Sequence, residues 1–103
     1  RLGDEKGSTA MEVGSYLGYT SRVLAESFQR VIVLDNSWAH LEHNAAYNSE
    51  YNNIFYLKFH THLDSWSNLR YNGITFVLHD AEHDYDSVKR DWAQIRTLPD
   101  LRF

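Results

Sequence analysis

Three positions in this chain of 103 residues have types and spacing that could do chemistry: Gly14, Gly18 and Asp35. The glycines stand in Glu12-Val13-Gly14-Ser15-Tyr16-Leu17-Gly18-Tyr19-Thr20, between a strand-like run and a helix-like run. Gly14 lets the backbone turn tightly, and Gly18 lets another group approach closely. In open α/β sheets the crevice at the carboxyl ends of the strands is where ligands bind. Asp35 lies 21 residues beyond Gly14, about the spacing at which a carboxylate accepts hydrogen bonds from a ribose in dinucleotide-binding folds. The loop is not G-x-G-x-x-G, because position 16 is Tyr, and not G-x-x-x-x-G-K-[ST], because no Lys follows Gly18. A ligand with a ribose and no pyrophosphate fits these residues. Singly, each has a bland explanation as a tight turn or a solvated strand end. Jointly, at the right ends of the right elements, they point to a site.

The elements that must position them follow from periodicity. Apolar runs predict strands over 9–13, 30–35, 54–59 and 74–78. Val31-Ile32-Val33-Leu34 is apolar without interruption, as in a strand buried on both faces of a parallel sheet. A helix capped by Thr20 is expected to carry Leu17, Leu24 and Phe28 on one face. A second, over 37–48 with Asn36 or Ser37 as cap, carries Trp38, Leu41 and Ala45. A short helical turn is expected over 65–69, and Asn72-Gly73 signals a turn. The last helix, capped by Asp84 and stopped by Pro99, carries Tyr85, Val88, Trp92 and Ile95. Leu101-Arg102-Phe103 begins a fifth strand. This alternation predicts a single α/β domain over 1–103, a mainly parallel sheet flanked by helices.

Glu12-x-Gly14-x-x-x-Gly18-x-Thr20 resembles the first motif of class I S-adenosylmethionine-dependent methyltransferases, and Asp35 resembles their acidic ribose-binding position. Asp80-x-x-His83-x-Tyr85, after the fourth strand, is similar to a segment of the small-molecule O-methyltransferases that act on sugars and other natural products. The resemblance covers about residues 9 to 98 and implies a Rossmann-like fold with S-adenosylmethionine as cofactor. It implies that the backbone at Gly14, Ser15 and Gly18 holds the methionine moiety and that Glu12 shapes the pocket floor. It also implies that Asp35 takes the ribose hydroxyls, with Asn36 or Ser37 near the adenine and His60, Thr61 and His62 flanking it. Asp80 would sit beside the methyl group, as a ligand of Mg²⁺ in metal-dependent relatives, and His83 would be the base. A neutral imidazole can take a proton near neutral pH. Mg²⁺ would instead lower the pKa of the acceptor hydroxyl and prefers oxygen ligands. The family's sheet has seven strands, so the chain reads as a fragment lacking the C-terminal part.

Composition narrows the classes. Fourteen acidic residues against ten basic give a net charge of −4, which argues against a nucleic-acid partner. Cysteine is absent, which removes thiolate catalysis and thiolate-ligated zinc. Six histidines raise a zinc reading, but His40/His43 and His60/His62 form no recognised zinc signature and H-E-x-x-H is missing. No apolar run approaches the roughly 18 residues of a membrane span. The expectation is a cytoplasmic methyltransferase taking a small-molecule acceptor, without nucleic acid or membrane. The alternatives are a non-catalytic α/β module that retains the sheet for ligand sensing or for association through its open edge, and an NAD-dependent oxidoreductase, which Tyr16 weakens.

Overall fold

The computed structural model describes residues 8–15, 17–71, 73–79 and 85–101. Strands β1 (Thr9–Val13), β2 (Arg30–Asp35), β3 (Ile54–Lys58) and β4 (Ile74–His79) form one parallel sheet, ordered β3-β2-β1-β4. Helix α1 (Tyr19–Ser27) joins β1 to β2, and α2 (Trp38–Tyr47) joins β2 to β3. A 3₁₀ turn (Ser67–Tyr71) precedes β4, and α3 (Tyr85–Ile95) follows it.

β2 forms where branched side chains favour extended backbone, and Val31, Val33, Leu34 and Asp35 are buried, as a central strand covered on both faces requires. One face packs Ala10, Val31, Val33 and Ile54 against Leu24, Ala25 and Phe28 of the α1 segment and Leu41 of α2. The other packs Met11, Val13 and Leu34 against Phe59, Trp66 and Leu69 and against Ile95 and Leu98 of the α3 segment. The chain builds outward from β1 in both directions, so its topological switch point lies between β1 and β4. At such a point the loops after the strands part and leave a crevice. Among the described residues no helix is long and apolar enough to cross a membrane.

The structure departs from the periodicity reading in instructive places. Helix α1 has Gly18, not Thr20, at its N-cap, with φ +93° and no side-chain cap. Leu17 precedes the helix and is exposed. Ser37 caps α2, its Oγ accepting the His40 N–H at 3.3 Å. The buried stripe of α2 is Leu41, Asn44 and Asn48, whereas Trp38 is exposed. On α3 the buried stripe is Asp91 and Ile95, continued by Leu98, and Val88 and Trp92 are exposed. In both helices a polar residue is drawn inward beside polar partners: Asn44 makes four side-chain hydrogen bonds, and Asp91 lies 2.6 Å from His79 Nε2. The 3₁₀ turn begins two residues later than expected. Asp84, Arg102 and Phe103 lie outside the described residues.

Candidate functional site

The loop after β1 is fastened to the end of β2. Gly14 adopts φ +101°, and its N–H donates to the Leu34 carbonyl at 2.8 Å. Ser15 N–H then donates to Asp35 Oδ2 at 2.8 Å, across twenty residues of sequence. Ser37 N–H donates to Oδ1 at 2.8 Å. His40 Nδ1 lies 3.2 Å from Oδ2 and 3.3 Å from Oδ1. The Asp35 backbone carbonyl accepts the Phe59 N–H at 2.8 Å, which brings the segment after β3 to the same edge. An ionised carboxylate offers about four lone-pair positions. Two of these three donors are rigid backbone, while His40 is a side chain with 47% of its surface exposed. Beside them Trp38, also exposed, has Lys58 Nζ 5.8 Å from its ring centroid, the geometry of a cation–π pair.

Beneath this loop lies a buried polar network that the sequence reading missed. Asn44, fully buried, donates through Nδ2 to Ser15 Oγ at 2.9 Å and to Ser21 Oγ at 2.7 Å. Its Oδ1 accepts from Asn48 Nδ2 and from the Tyr56 hydroxyl, both at 2.8 Å. Asn48 Nδ2 also donates to the Gly18 carbonyl at 2.9 Å, and Ser21 Oγ donates to Glu12 Oε1. Glu12, on β1 and 2% exposed, is thus held by α1. The group that approaches Gly18 closely is therefore the pair Asn44 and Asn48: a β-carbon there would stand 3.0 Å from each side chain. Burial raises the Tyr56 pKa above its usual value of 10.0, and the Glu12 carboxylate acts in the same direction. The signal available in the sequence was the spacing of Leu41, Asn44 and Asn48, which puts two amides on the buried side of one helix.

A second polar cluster sits on the opposite face. Asp91 of α3 is fully buried between His79, at the end of β4, and His62, in the segment after β3. His79 Nε2 is 2.6 Å from Oδ2, and His62 Nε2 is 3.1 Å from Oδ1. His79 pairs in register with Val13, so this cluster lies beside the β1 loop at the switch point. His62 N–H donates to His60 Nδ1 at 3.2 Å, and the Thr61 carbonyl accepts Trp66 Nε1–H at 2.9 Å.

Of the residues singled out from sequence, Glu12, Gly14, Ser15, Gly18 and Asp35 come together at the carboxyl edge of β1 and β2, with Asn36 exposed beside Asp35. Thr61 lies in the segment that Phe59 anchors to Asp35. Asp80 and His83 lie outside the described residues. Among the described residues no group of three or more His, Asp or Glu could hold a metal ion. Among the described residues, a cavity of about 360 Å³ lies along β3, lined by Ile32, Phe55, Leu57 and Leu69, and another of about 670 Å³ is lined by Phe28, Gln29, Asn52 and Asn53.

The sequence matches no protein-family model and no curated protein sequence. Solved structures do resemble it. The N-methyltransferase NodS from Bradyrhizobium japonicum WM9 superposes with a TM-score of 0.68 at 15% identity, covering 88% of this chain and 51% of that one. The same enzyme in complex with S-adenosyl-L-homocysteine gives 0.66 at 13% identity, covering 88% and 46%. The chain therefore has the Rossmann-like fold of those methyltransferases and spans about half their length.

Proposed function

We propose that this chain binds S-adenosylmethionine across the carboxyl ends of β1 and β2 and forms the donor-binding part of a small-molecule methyltransferase. The observation that carries this reading is the Asp35 carboxylate, held by the Ser15 and Ser37 N–H groups and covered on its remaining side by the side chain of His40. Ribose hydroxyls can replace His40 without disturbing the backbone that positions the carboxylate. The loop from Gly14 to Gly18 is the cradle for the methionine moiety, Glu12 closes its floor, and Asn36 and Thr61 flank the adenine. Asp35 and Glu12 also suit a cationic donor electrostatically.

The bound donor supplies an electrophilic methyl group on sulfonium. The protein's part is to align it with the acceptor, which is where such displacements gain most of their rate, and to remove the acceptor proton. We assign proton removal to His83 and a place beside the transferred methyl group to Asp80, with the hydroxyl of a small molecule in the cytoplasm as acceptor. Mg²⁺ on Asp80 is the other route to activating that hydroxyl. Turnover that survives EDTA leaves His83 as the base, and turnover lost to EDTA and restored by Mg²⁺ assigns the metal.

Calorimetric titration with S-adenosylhomocysteine, with NAD as control, tests the donor site. Selective binding of the former is expected. A folded chain that binds neither overturns the reading in favour of an association module. That alternative has its own observation: Phe55 and Leu57 are exposed on the edge strand β3, and an apolar open edge invites pairing with another copy. Sedimentation velocity would then show a dimer that Leu57→Lys dissolves.

A further inference from the structure

We infer that Asn44 is the positioning residue of the donor loop, setting the loop in its binding conformation before any ligand arrives. The inference rests on the donor-binding reading above and adds a residue on α2 that touches no ligand itself. All four hydrogen-bonding positions of the Asn44 side chain are used, the full capacity of a carboxamide. Three of the bonds tie a different element to α2, and the fourth, from Asn48, stays within the helix and its cap. The Ser15 hydroxyl belongs to the loop, the Ser21 hydroxyl to α1, and the Tyr56 hydroxyl to β3; Asn48 relays the fourth to the Gly18 carbonyl.

The consequence is geometric. Ser15 is held from below at its hydroxyl by Asn44 and from the side at its N–H by Asp35. Gly18, at the other end of the loop, is held at its carbonyl by Asn48 and leaves no room for a β-carbon against the two amides. The loop's two ends are thus pinned to one helix face by interlocked bonds in a site shielded from water, where such bonds polarise one another. Ser15 and Gly18, pinned this way, do not have to be ordered by the ligand, so ligand affinity is not spent on ordering them.

Asn44→Ala tests this through two readouts. S-adenosylhomocysteine affinity should fall about ten-fold, the size of one or two lost hydrogen bonds. The Ser15 and Gly18 amide resonances of the ligand-free protein should shift together. Ile95→Val, in the core on the other face, should lower stability while leaving both readouts in place. A folded Asn44→Ala with unchanged affinity and unchanged loop resonances overturns the inference. If Asn44→Ala does not fold, Tyr56→Phe carries the test by removing one bond to Asn44: a two- to five-fold loss is expected, by the same arithmetic roughly 0.4–1 kcal/mol, and none overturns it. Failure of the unmodified protein to bind S-adenosylhomocysteine would instead overturn the donor-site reading, and the two failures are distinguishable.

Discussion

A methyl group in place of the Gly18 hydrogen would stand 3.0 Å from Cγ of Asn44, at a residue whose φ is +93°. Gly73 has φ +62° but nothing within 4 Å of the same position. The pair separates backbone strain from steric crowding. Gly73→Ala should cost only the left-handed backbone term, about 1–2 kcal/mol. Gly18→Ala should cost that plus the displacement of two buried amides, so its urea midpoint should fall further. Equal losses would mean that the asparagines yield freely.

Asp35 carries the donor reading and also supports the loop. Asp35→Ala should weaken S-adenosylhomocysteine binding by about 1.5–3 kcal/mol, the range for hydrogen bonds to a charged group, or roughly ten- to a hundred-fold. Calorimetry on the folded variant checks this, and an unchanged affinity removes Asp35 from the site.

Asp91 joins α3 to the end of β4 and to the segment after β3 through His79 and His62. Asp91→Ala leaves His79 without its hydrogen-bond partner and takes the nearby carboxylate away from His62. The His79 side chain is 14% exposed, so water relieves some of its loss, whereas His62 Nε2 is buried and makes no hydrogen bond to lose. A destabilisation of about 1–3 kcal/mol in urea is expected. A larger loss than for Val88→Ala, on the exposed side of the same helix, would locate the helix's anchor at the carboxylate.

Tyr56 predicts a dependence on alkaline pH. Burial holds its phenol pKa above 10.0 in the folded protein, so the unfolded chain releases the proton first. The associated stability is complete below the unfolded value and is lost as pH rises through the folded one. Tyr56→Phe cannot titrate. Between about pH 9.5 and 11 the unmodified protein should therefore lose stability more steeply than the variant. Parallel slopes in urea unfolding would contradict the raised pKa.

Much of the architecture was legible from residue types alone. Val31-Ile32-Val33-Leu34 could be little else than a central strand, and all four strands fall where their apolar runs place them. Gly14, Gly18 and Asp35 were legible because their roles depend on backbone freedom, charge and spacing along the chain. The partners were not. Asn44, Asn48 and Asp91 lie on the buried sides of their helices, yet hydropathy assigns an amide or a carboxylate to solvent. A polar side chain goes inside only when bonds there replace those it made to water. For Asn44 those bonds come from Ser15, Ser21, Asn48 and Tyr56, and for Asp91 the neighbours are His62 and His79. Most of these partners are distant in sequence and meet only once the sheet has formed. Residue chemistry along the chain decided the strands and the ribose acid; the tertiary fold decided which polar groups could be buried, and so what holds the loop at the site.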